Sequence, residues 1–252
     1  MEVHPPEHPI MTWKQFLVHM STICLGLLIA LALEQSVEAL HRHEQARELR
    51  EALHRETEQI LRDETTRVPH REAIAAWAST RRQQLYDGLW SNKPVPPPAP
   101  LPNSTNPEPP SDAIFSAALA NGRVALLTPG EVNVYQDTHS QIAQLETQEL
   151  ETANRASAWL SFERSLPQRS DNTTGTSSVD YTRVSAEDSR RDLELFNDWM
   201  RHYLVGTHQL EQLLGAEVEV AHGDLNLDKI HAVEGDAWKT WVQENALHTG
   251  HQ

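Results

Sequence analysis

The sequence has little of the chemistry on which most enzymes and metal proteins depend. It contains one cysteine, Cys24, inside an apolar stretch, so the rest of the chain has no thiol for a disulfide, a metal or a nucleophilic reaction. Aromatic residues make up 6% of the chain and hydrophobic residues 38%, which is too little apolar surface for a large globular core. These shortages favour thin helical packing, in which each helix needs only one apolar stripe.

Positive charge is also scarce. The 36 acidic residues outnumber the 21 lysines and arginines, and the net charge is −15 when histidine is neutral. A negative excess of this size repels the phosphates of nucleic acids. We therefore expect no nucleic-acid partner.

Catalytic and metal-binding motifs are missing as well. The chain has no H-E-x-x-H, G-x-S-x-G, Walker loop or dinucleotide fingerprint. Two E-x-x-H units, at 38–41 and 51–54, resemble di-iron ligands, but on one predicted helix they lie about 20 Å apart and point in different directions. Residues 224–228 begin like a calcium loop, but Lys229 stands where that loop requires glycine. The sequence thus predicts no cofactor, no metal site and no catalytic residue.

One long hydrophobic run is present, at residues 16–33, and it contains no acidic or basic residue apart from one histidine. As a helix with a rise of about 1.5 Å per residue it would be about 27 Å long, enough to cross the hydrocarbon layer of a bilayer. A cleaved signal peptide would have a shorter run followed by a small-x-small site, whereas here a helical pattern continues through Glu34. We predict a retained transmembrane helix at 12–33, a disordered N-terminus at 1–11, and Trp13 at the membrane interface.

One face of this transmembrane helix carries small residues. Thr22, Gly26 and Ala30 recur at every fourth position, and His19 lies near the same side. Small side chains allow two membrane helices to approach closely. We therefore predict a helix–helix contact within the membrane at these four residues. The alternative is that the small residues have no special role and that His19 reaches the membrane interface.

Beyond the membrane the pattern remains helical. Residues 34–90 are rich in strong helix formers and carry a weak coiled-coil stripe, which predicts a helical stalk or hairpin in which Pro69 kinks or ends the first helix and a second begins. A proline-rich linker follows at 91–112. It should be extended polyproline that acts as a spacer or an extended crossover, with docking of a proline-reading domain through residues 94–97 as the alternative.

A helical bundle domain is predicted at 113–222. Thr128, Pro129 and Glu131 form a start signal for a helix that should run to about Leu166. A polar loop at 167–184 precedes a second long helix from Ser185 to about Val220. The seam by which that second helix should pack on another helix consists of residues three and four positions apart, namely Leu193, Phe196, Met200, Tyr203, Leu210 and Leu214.

The C-terminal tail, residues 223–252, contains a possible short helix at 236–247. No stretch alternates as a strand does, so the predicted fold class is all-α. We expect a single transmembrane helix that continues into a long extramembrane helix, packed with further helices as an elongated bundle resembling a coiled coil.

Two segments of the chain resemble a known group of proteins. The run Gly26-Leu27-Leu28-Ile29-Ala30-Leu31, followed by a polar helix, resembles a widespread group of uncharacterised bacterial single-pass membrane proteins that carry G-[ILV]-L-I-A-L at this point. The segment from Ala117 to Tyr135 is similar to that group's short helix, glycine turn and tyrosine-bearing helix. The chain departs from the group in Glu34-Gln35 and in its few basic residues before the span. The resemblance implies an architecture and a bacterial inner-membrane location, with no known activity.

These observations lead to one preferred functional hypothesis and two alternatives. The preferred one is a non-enzymatic single-pass membrane protein that acts as a structural, scaffolding or accessory subunit of a larger inner-membrane complex. Its partners would be the lipid bilayer and either other membrane helices or a second copy of the chain. The first alternative is a membrane-anchored sensor or ligand-binding module, with a pocket among Trp159, Phe196, Trp199 and Tyr203. An enzyme would need carboxylates and histidines from different helices to converge.

Two features of the sequence disagree about which side of the membrane carries the body of the protein, by which we mean the residues after the span. Arg42, Arg47 and Arg50 after the span outnumber Lys14 before it, which favours a cytoplasmic body. A short N-terminus before an uncleaved anchor favours the periplasm instead. We prefer the periplasmic orientation.

Overall fold

The computed structural model describes residues 13–91, 93–102, 110–170 and 177–232. Helix accounts for 82% of the structure and strand for 2%, so the all-α prediction is confirmed. The elements in chain order are α1 (Trp13–Trp90), α2 (Ala113–Ala120), a 3-10 turn (Arg123–Leu126), α3 (Pro129–Ser165), β1 (Gln168–Ser170), β2 (Ser177–Val179) and α4 (Ala186–Ala221). Residues 227–232 form a further helical turn. The predictions for residues 1–11 and for a short helix at 236–247 lie outside the described residues.

The contacts divide the chain into two units, Met1–Arg50 and Glu51–Gln252. In the first unit the described residues belong to α1, and every residue from 13 to 45 is exposed. Within the part of the chain that the structure describes, α1 is the one helix long and apolar enough to cross a membrane. Its exposed apolar side chains are what lipid contact requires.

In the second unit, α1 continues through Pro69 without ending. Proline lacks the N–H that would bond to the carbonyl of Thr65, so the helix loses one hydrogen bond there. The turns on either side are held from outside the helix, because Arg67 and Arg71 both bond to Glu149 of α3. The prediction that a second helix begins after Pro69 is therefore wrong.

The predicted start of α3 is confirmed. The hydroxyl of Thr128 accepts from the Glu131 N–H at 3.3 Å, and the Glu131 carboxylate accepts from the Thr128 N–H at 2.7 Å. This reciprocal pair satisfies two amide groups that the first helical turn leaves without partners. Pro129 occupies the first helical position, and the helix ends at Ser165, one residue before the predicted end.

Helix α4 packs on its neighbours through two rows of residues that each repeat every seventh position. One row, Phe196, Tyr203, Leu210 and Glu217, contains three of the predicted seam residues. The other row is Asp192, Trp199, Gly206, Leu213 and Val220, all of them buried. It lies one residue before the predicted row of Leu193, Met200 and Leu214, of which Leu193 is buried while Met200 and Leu214 are half-buried.

A small sheet interrupts the predicted polar loop between α3 and α4. Strands β1 and β2 pair antiparallel, with Gln168 opposite Val179. Apart from Val179 both strands consist of polar residues without alternation, so the sequence pattern did not indicate them. The prediction of a loop across residues 167–184 is wrong at these two strands.

Two clusters of buried apolar residues form the core of the second unit. One consists of Ile60, Ile142, Leu145, Leu210 and Leu213. The other contains Ile74, Ala78, Leu85, Trp159, Leu193, Phe196 and Trp199. Both clusters draw on α1, α3 and α4, so these three helices pack together as a bundle.

Candidate functional site

The residues predicted to mediate a helix contact in the membrane lie exposed on α1. His19, Thr22, Gly26 and Ala30 are all exposed, and a Cβ added at Gly26 would meet no atom within 4 Å. The hydroxyl of Thr22 donates to the carbonyl of Val18 at 2.8 Å, which removes its need for a partner in lipid. This face of the helix is therefore exposed, and its Thr22 hydroxyl is already bonded within the helix. The helix–helix contact stays a prediction.

The predicted interfacial residue, Trp13, stands at the start of α1. Its side chain is 72% exposed and stacks on Phe16, with ring centroids 5.5 Å apart. An exposed tryptophan beside an apolar run is typical of the headgroup region of a bilayer.

The aromatic residues proposed as a pocket are packed against one another. The ring centroid of Trp159 lies 4.9 Å from that of Phe196 and 5.4 Å from that of Trp199. Trp77 from α1 adds a ring 6.1 Å from Phe196, and Tyr203 lies 5.8 Å from Trp199. Edge-to-face and stacked contacts at these distances fill the space between the helices, so these rings form core.

A buried polar cluster lies beside the aromatic core, and we refer to Arg81, Glu163, Tyr181 and Asp192 as the Arg81 cluster. The four side chains come from α1, the C-terminal end of α3, the segment before α4 and α4 itself. Arg81 is 2% exposed and Asp192 is 0% exposed. Burial of charged groups at this depth requires that they be paired with one another.

Tyr181 connects the members of the Arg81 cluster. Its hydroxyl donates to Asp192 and lies 3.4 Å from Oε1 of Glu163. Nη2 of Arg81 donates to the same hydroxyl oxygen at 3.3 Å, and the guanidinium sits over the tyrosine ring, 5.4 Å from its centroid. Asp192 also accepts from Nε1 of Trp159 at 3.1 Å. The hydroxyl is thus shared by three charged side chains.

The electrostatics of the cluster favour protonated carboxyl groups. Burial and, to a smaller extent, the nearby charge of Asp192 raise the pKa of Glu163 to about 7 against the opposing effect of Arg81. Burial also raises the pKa of Asp192 and that of Tyr181. One arginine therefore faces two carboxyl groups in a site that solvates charge poorly.

Arg81 also holds the described part of the proline-rich linker, residues 93–102, which we call the strap. Nη1 of Arg81 donates to the carbonyl of Pro96 at 2.8 Å, and Nε1 of Trp77 donates to the carbonyl of Ala99 at 2.9 Å. Val95 packs against the aromatic core and would lie 2.1 Å from a Cβ placed on Gly88. The strap therefore runs antiparallel to α1 and in contact with it, and is more than a spacer.

The two accepted carbonyls of the strap lie three residues apart, which is the repeat of a polyproline helix. Residues with the same spacing share a face of such a helix, and Pro94, Pro97 and Pro100 are all exposed. The strap thus binds α1 through main-chain oxygens while this proline face points outward. Its backbone contacts leave the proline-ligand interpretation of residues 94–97 open.

A second polar cluster joins α1 to α3 around Pro69, with arginines on both sides of the proline. Glu149 accepts from Nη2 of Arg67 at 3.2 Å and from Arg71, while Arg67 also pairs with buried Glu64. Gly206 of α4 lies against this group, since a Cβ there would be 3.5 Å from Nη1 of Arg71. Two arginines and two carboxylates balance in charge, which is typical of a structural ion-pair network.

Two further carboxylates, half-buried Glu56 and buried Glu217, lie where α1, α2 and α4 meet. Glu56 accepts from the N–H groups of Ile114 at 2.6 Å and Phe115 at 3.2 Å, so it caps the N-terminus of α2. Glu217 is 2% exposed, and burial raises its pKa to about 7, with Glu56 and Asp112 as nearby like charges. These groups hold helices together and line no open cleft.

No metal site is formed by the residues that the structure describes, since no three His, Cys, Asp or Glu side chains among them converge. At the position that resembled a calcium loop, Lys229 donates to Asp224 at 2.7 Å and pairs with Glu219 at 2.6 Å. The ammonium group thereby neutralises the carboxylates that a cation would need.

Sequence reasoning missed the Arg81 cluster altogether. None of its four residues belongs to a motif that the sequence contains, and Tyr181 lies within the predicted loop at 167–184. One signal was available. Asp192 lies seven residues before Trp199, and both belong to the row of residues that α4 buries. A charged residue in a buried row must find partners of opposite charge or hydrogen-bond donors.

The protein is thus an all-α protein that has one helix long and apolar enough to cross a membrane and a bundle with a polar cluster in its interior. No protein-family model, curated protein or solved structure matches the chain. We therefore infer its function from its own residues.

Proposed function

We propose that the protein is a non-enzymatic, single-pass inner-membrane protein that serves as a structural, scaffolding or accessory subunit of a larger assembly. The observation that carries the proposal is the combination of an exposed apolar helix face with a bundle whose buried arginines, Arg67, Arg71 and Arg81, all face carboxyl groups. The first provides a surface for lipid and for another helix, and the second uses its charged groups to hold helices together.

The burial of the polar clusters supports the non-enzymatic part. A catalytic acid or base must come within hydrogen-bond distance of its substrate. Arg81 and Asp192 are almost completely enclosed, and Asp192 is already bonded to Tyr181 and Trp159. The perturbed pKa values in this cluster are explained by helix packing, which perturbs ionisable groups without any catalytic role.

The exposed face at Thr22, Gly26 and Ala30 supports association within the membrane. Because a Cβ at Gly26 meets nothing within 4 Å in one chain, a neighbouring helix could approach the backbone there. Association through this face would bring the bundles of two chains, or this bundle and a partner, to the same membrane surface. We propose this contact as the basis of the subunit role.

The experiment that tests the proposal is purification of the full chain in mild detergent, with chemical crosslinking in membranes and mass measurement of the purified species. We expect an assembly larger than the monomer. Gly26→Leu should reduce the crosslinked fraction several-fold, because the added side chain blocks the close approach.

Cys24→Leu is the matched control. Residue 24 is about 200° around the helix from both Thr22 and Gly26, so this variant places a leucine side chain on the opposite face. A monodisperse wild-type monomer, or equal crosslinking losses in the two variants, would contradict the proposed contact.

A further inference from the structure

In the Arg81 cluster, a single hydroxyl hydrogen lies between two carboxyl groups that could both accept it. The Tyr181 hydroxyl has one hydrogen and lies between two carboxyl groups, Asp192 and Glu163. One hydrogen can be donated to only one of them, and Asp192 receives it together with the bond from Trp159. Asp192 receives the shorter of the two contacts, so Glu163 has the weaker one at 3.4 Å, and a protonated Glu163 can itself donate to the hydroxyl oxygen.

The charges that face Glu163 lead to the same conclusion. Arg81 approaches from α1, Tyr181 from the segment before α4, and Asp192 from α4. With both carboxyl groups ionised, the one arginine would face two negative charges in a buried site. Burial and the charge of Asp192 accordingly raise the pKa of Glu163 to about 7, which supports a protonated Glu163 below neutral pH.

Arg81 is shared between this carboxyl pair and the strap. Nη1 donates to the carbonyl of Pro96 at 2.8 Å, while Nη2 lies 3.8 Å from Oε1 of Glu163. An ion pair at 3.8 Å is loose, and a charged Glu163 would attract the guanidinium more strongly than a neutral one does. The guanidinium is a rigid plane, so a shift that shortens the distance from Nη2 to Glu163 also displaces Nη1, which holds Pro96.

We propose that the Arg81 cluster is a proton-linked latch: when Glu163 gives up its proton, Arg81 moves onto the carboxylates and gives up its bond to the Pro96 carbonyl. This loosens the strap at Pro96, while Val95 stays packed against Gly88 and Lys93 stays bonded to Asp87. The proton passes to solvent, which reaches Glu163 because its side chain is 16% exposed. Reprotonation of Glu163 returns the guanidinium to the Pro96 carbonyl. The Trp77 bond to Ala99 does not involve an ionisable group, so the Ala99 end of the strap stays attached throughout.

The test is a spin-label measurement on the full chain in detergent micelles. Cys24 is replaced by serine, and a nitroxide is attached to a cysteine at exposed Pro97 (P97C). We expect an immobilised label at about pH 6, a mobile label at about pH 8.5, and a midpoint near pH 7. A label at exposed position 144 on α3 (Q144C) should show no change over the same range.

Glu163→Gln cannot lose a proton, so its strap label should stay immobilised over the whole range. Glu217→Gln is the matched control, because Glu217 is also buried, its pKa is also raised to about 7, and it lies in a different cluster. The Glu217 variant should keep the wild-type transition. A wild-type label whose mobility is independent of pH, or a transition that persists in Glu163→Gln, would overturn the latch.

A second variant keeps the proposal testable if Glu163→Gln loses helix content by circular dichroism. Asp192→Asn removes the like charge that faces Glu163, so the midpoint of the strap transition should move to lower pH. An unchanged midpoint in a folded Asp192→Asn chain would equally overturn the latch.

Discussion

Replacing Glu217 by glutamine should stabilise the protein at alkaline pH. The Glu217 side chain is 2% exposed, accepts a hydrogen bond from Thr57, and leaves Oε2 without a hydrogen-bond partner. Burial, with Glu56 and Asp112 as nearby like charges, raises its pKa from 4.5 to about 7. The folded protein therefore binds a proton at Glu217 more tightly than the unfolded chain does.

The direction of the pH dependence follows from proton linkage. Between pH 4.5 and about 7 the folded state carries more protons at Glu217 than the unfolded state, so the free energy of unfolding falls as pH rises through this window. A rise in pKa from 4.5 to about 7 corresponds to about 3 kcal/mol at most. Below pH 4.5 the contribution is fully present, and above about pH 7 it is lost.

Glutamine resembles the protonated glutamate in shape and charge, so Glu217→Gln should be about 2 to 3 kcal/mol more stable than wild type at pH 8 and nearly equal to it at about pH 4. Heat unfolding followed by circular dichroism in micelles should show this as a Tm difference of roughly 5 to 10 °C at pH 8. Glu194→Gln, at an exposed position of α4, is the control and should change Tm little at either pH. A Glu217→Gln variant with the same Tm profile as wild type would refute the reasoning.

Three further substitutions test other contacts by the same unfolding assay. Gly88→Ala should cost about 1 to 3 kcal/mol, because its Cβ would lie 2.1 Å from Val95, whereas Gly130→Ala, where a Cβ meets nothing within 4 Å, should cost nothing; equal Tm changes would contradict the close packing of the strap. Glu149→Ala should cost about 3 to 5 kcal/mol because it leaves two buried arginines short of a carboxylate, and a change below about 1 kcal/mol would show that solvent reaches them. Thr128→Ala should cost about 1 kcal/mol through loss of the cap of α3, with Thr128→Ser as a control that keeps the cap.

The starts of α3 and α4 could be predicted from sequence because their signals are local. Thr128, Pro129 and Glu131 act within one turn, and the Ser185 hydroxyl accepts from the Asp188 N–H at 3.0 Å. Such bonds depend on neighbouring residues alone. Where the prediction failed, the structure depends on contacts between residues far apart in the sequence.

Pro69 shows how packing from other helices overrides a local preference. Its missing N–H costs one hydrogen bond, but Glu149 of α3 binds Arg67 and Arg71 on both sides of it. Those contacts join residues about 80 positions apart in sequence. Spacing along one helix cannot reveal them.

The buried row of α4 that contains Asp192 and Gly206 could not be recognised from hydrophobicity. Asp192 and Gly206 are poor candidates for a seam by hydrophobicity, so the row that contains Leu193, Met200 and Leu214 was the more apolar choice. Asp192 is accommodated by donors from Trp159 and Tyr181, and Gly206 leaves room for Gln148 and Arg71. The partners that allow these burials come from other helices, and they also build the cluster that the sequence did not indicate.

The attachment of the strap has a consequence for how its sequence can vary. Arg81 and Trp77 bind carbonyl oxygens, which every residue possesses, so the side chains at 96 and 99 are free to change. The number of residues between the two carbonyls is fixed instead, since a polyproline chain advances about 9 Å in three residues. The strap should therefore tolerate many substitutions and no single-residue insertion between Pro96 and Ala99, so that its length is under stricter selection than its composition.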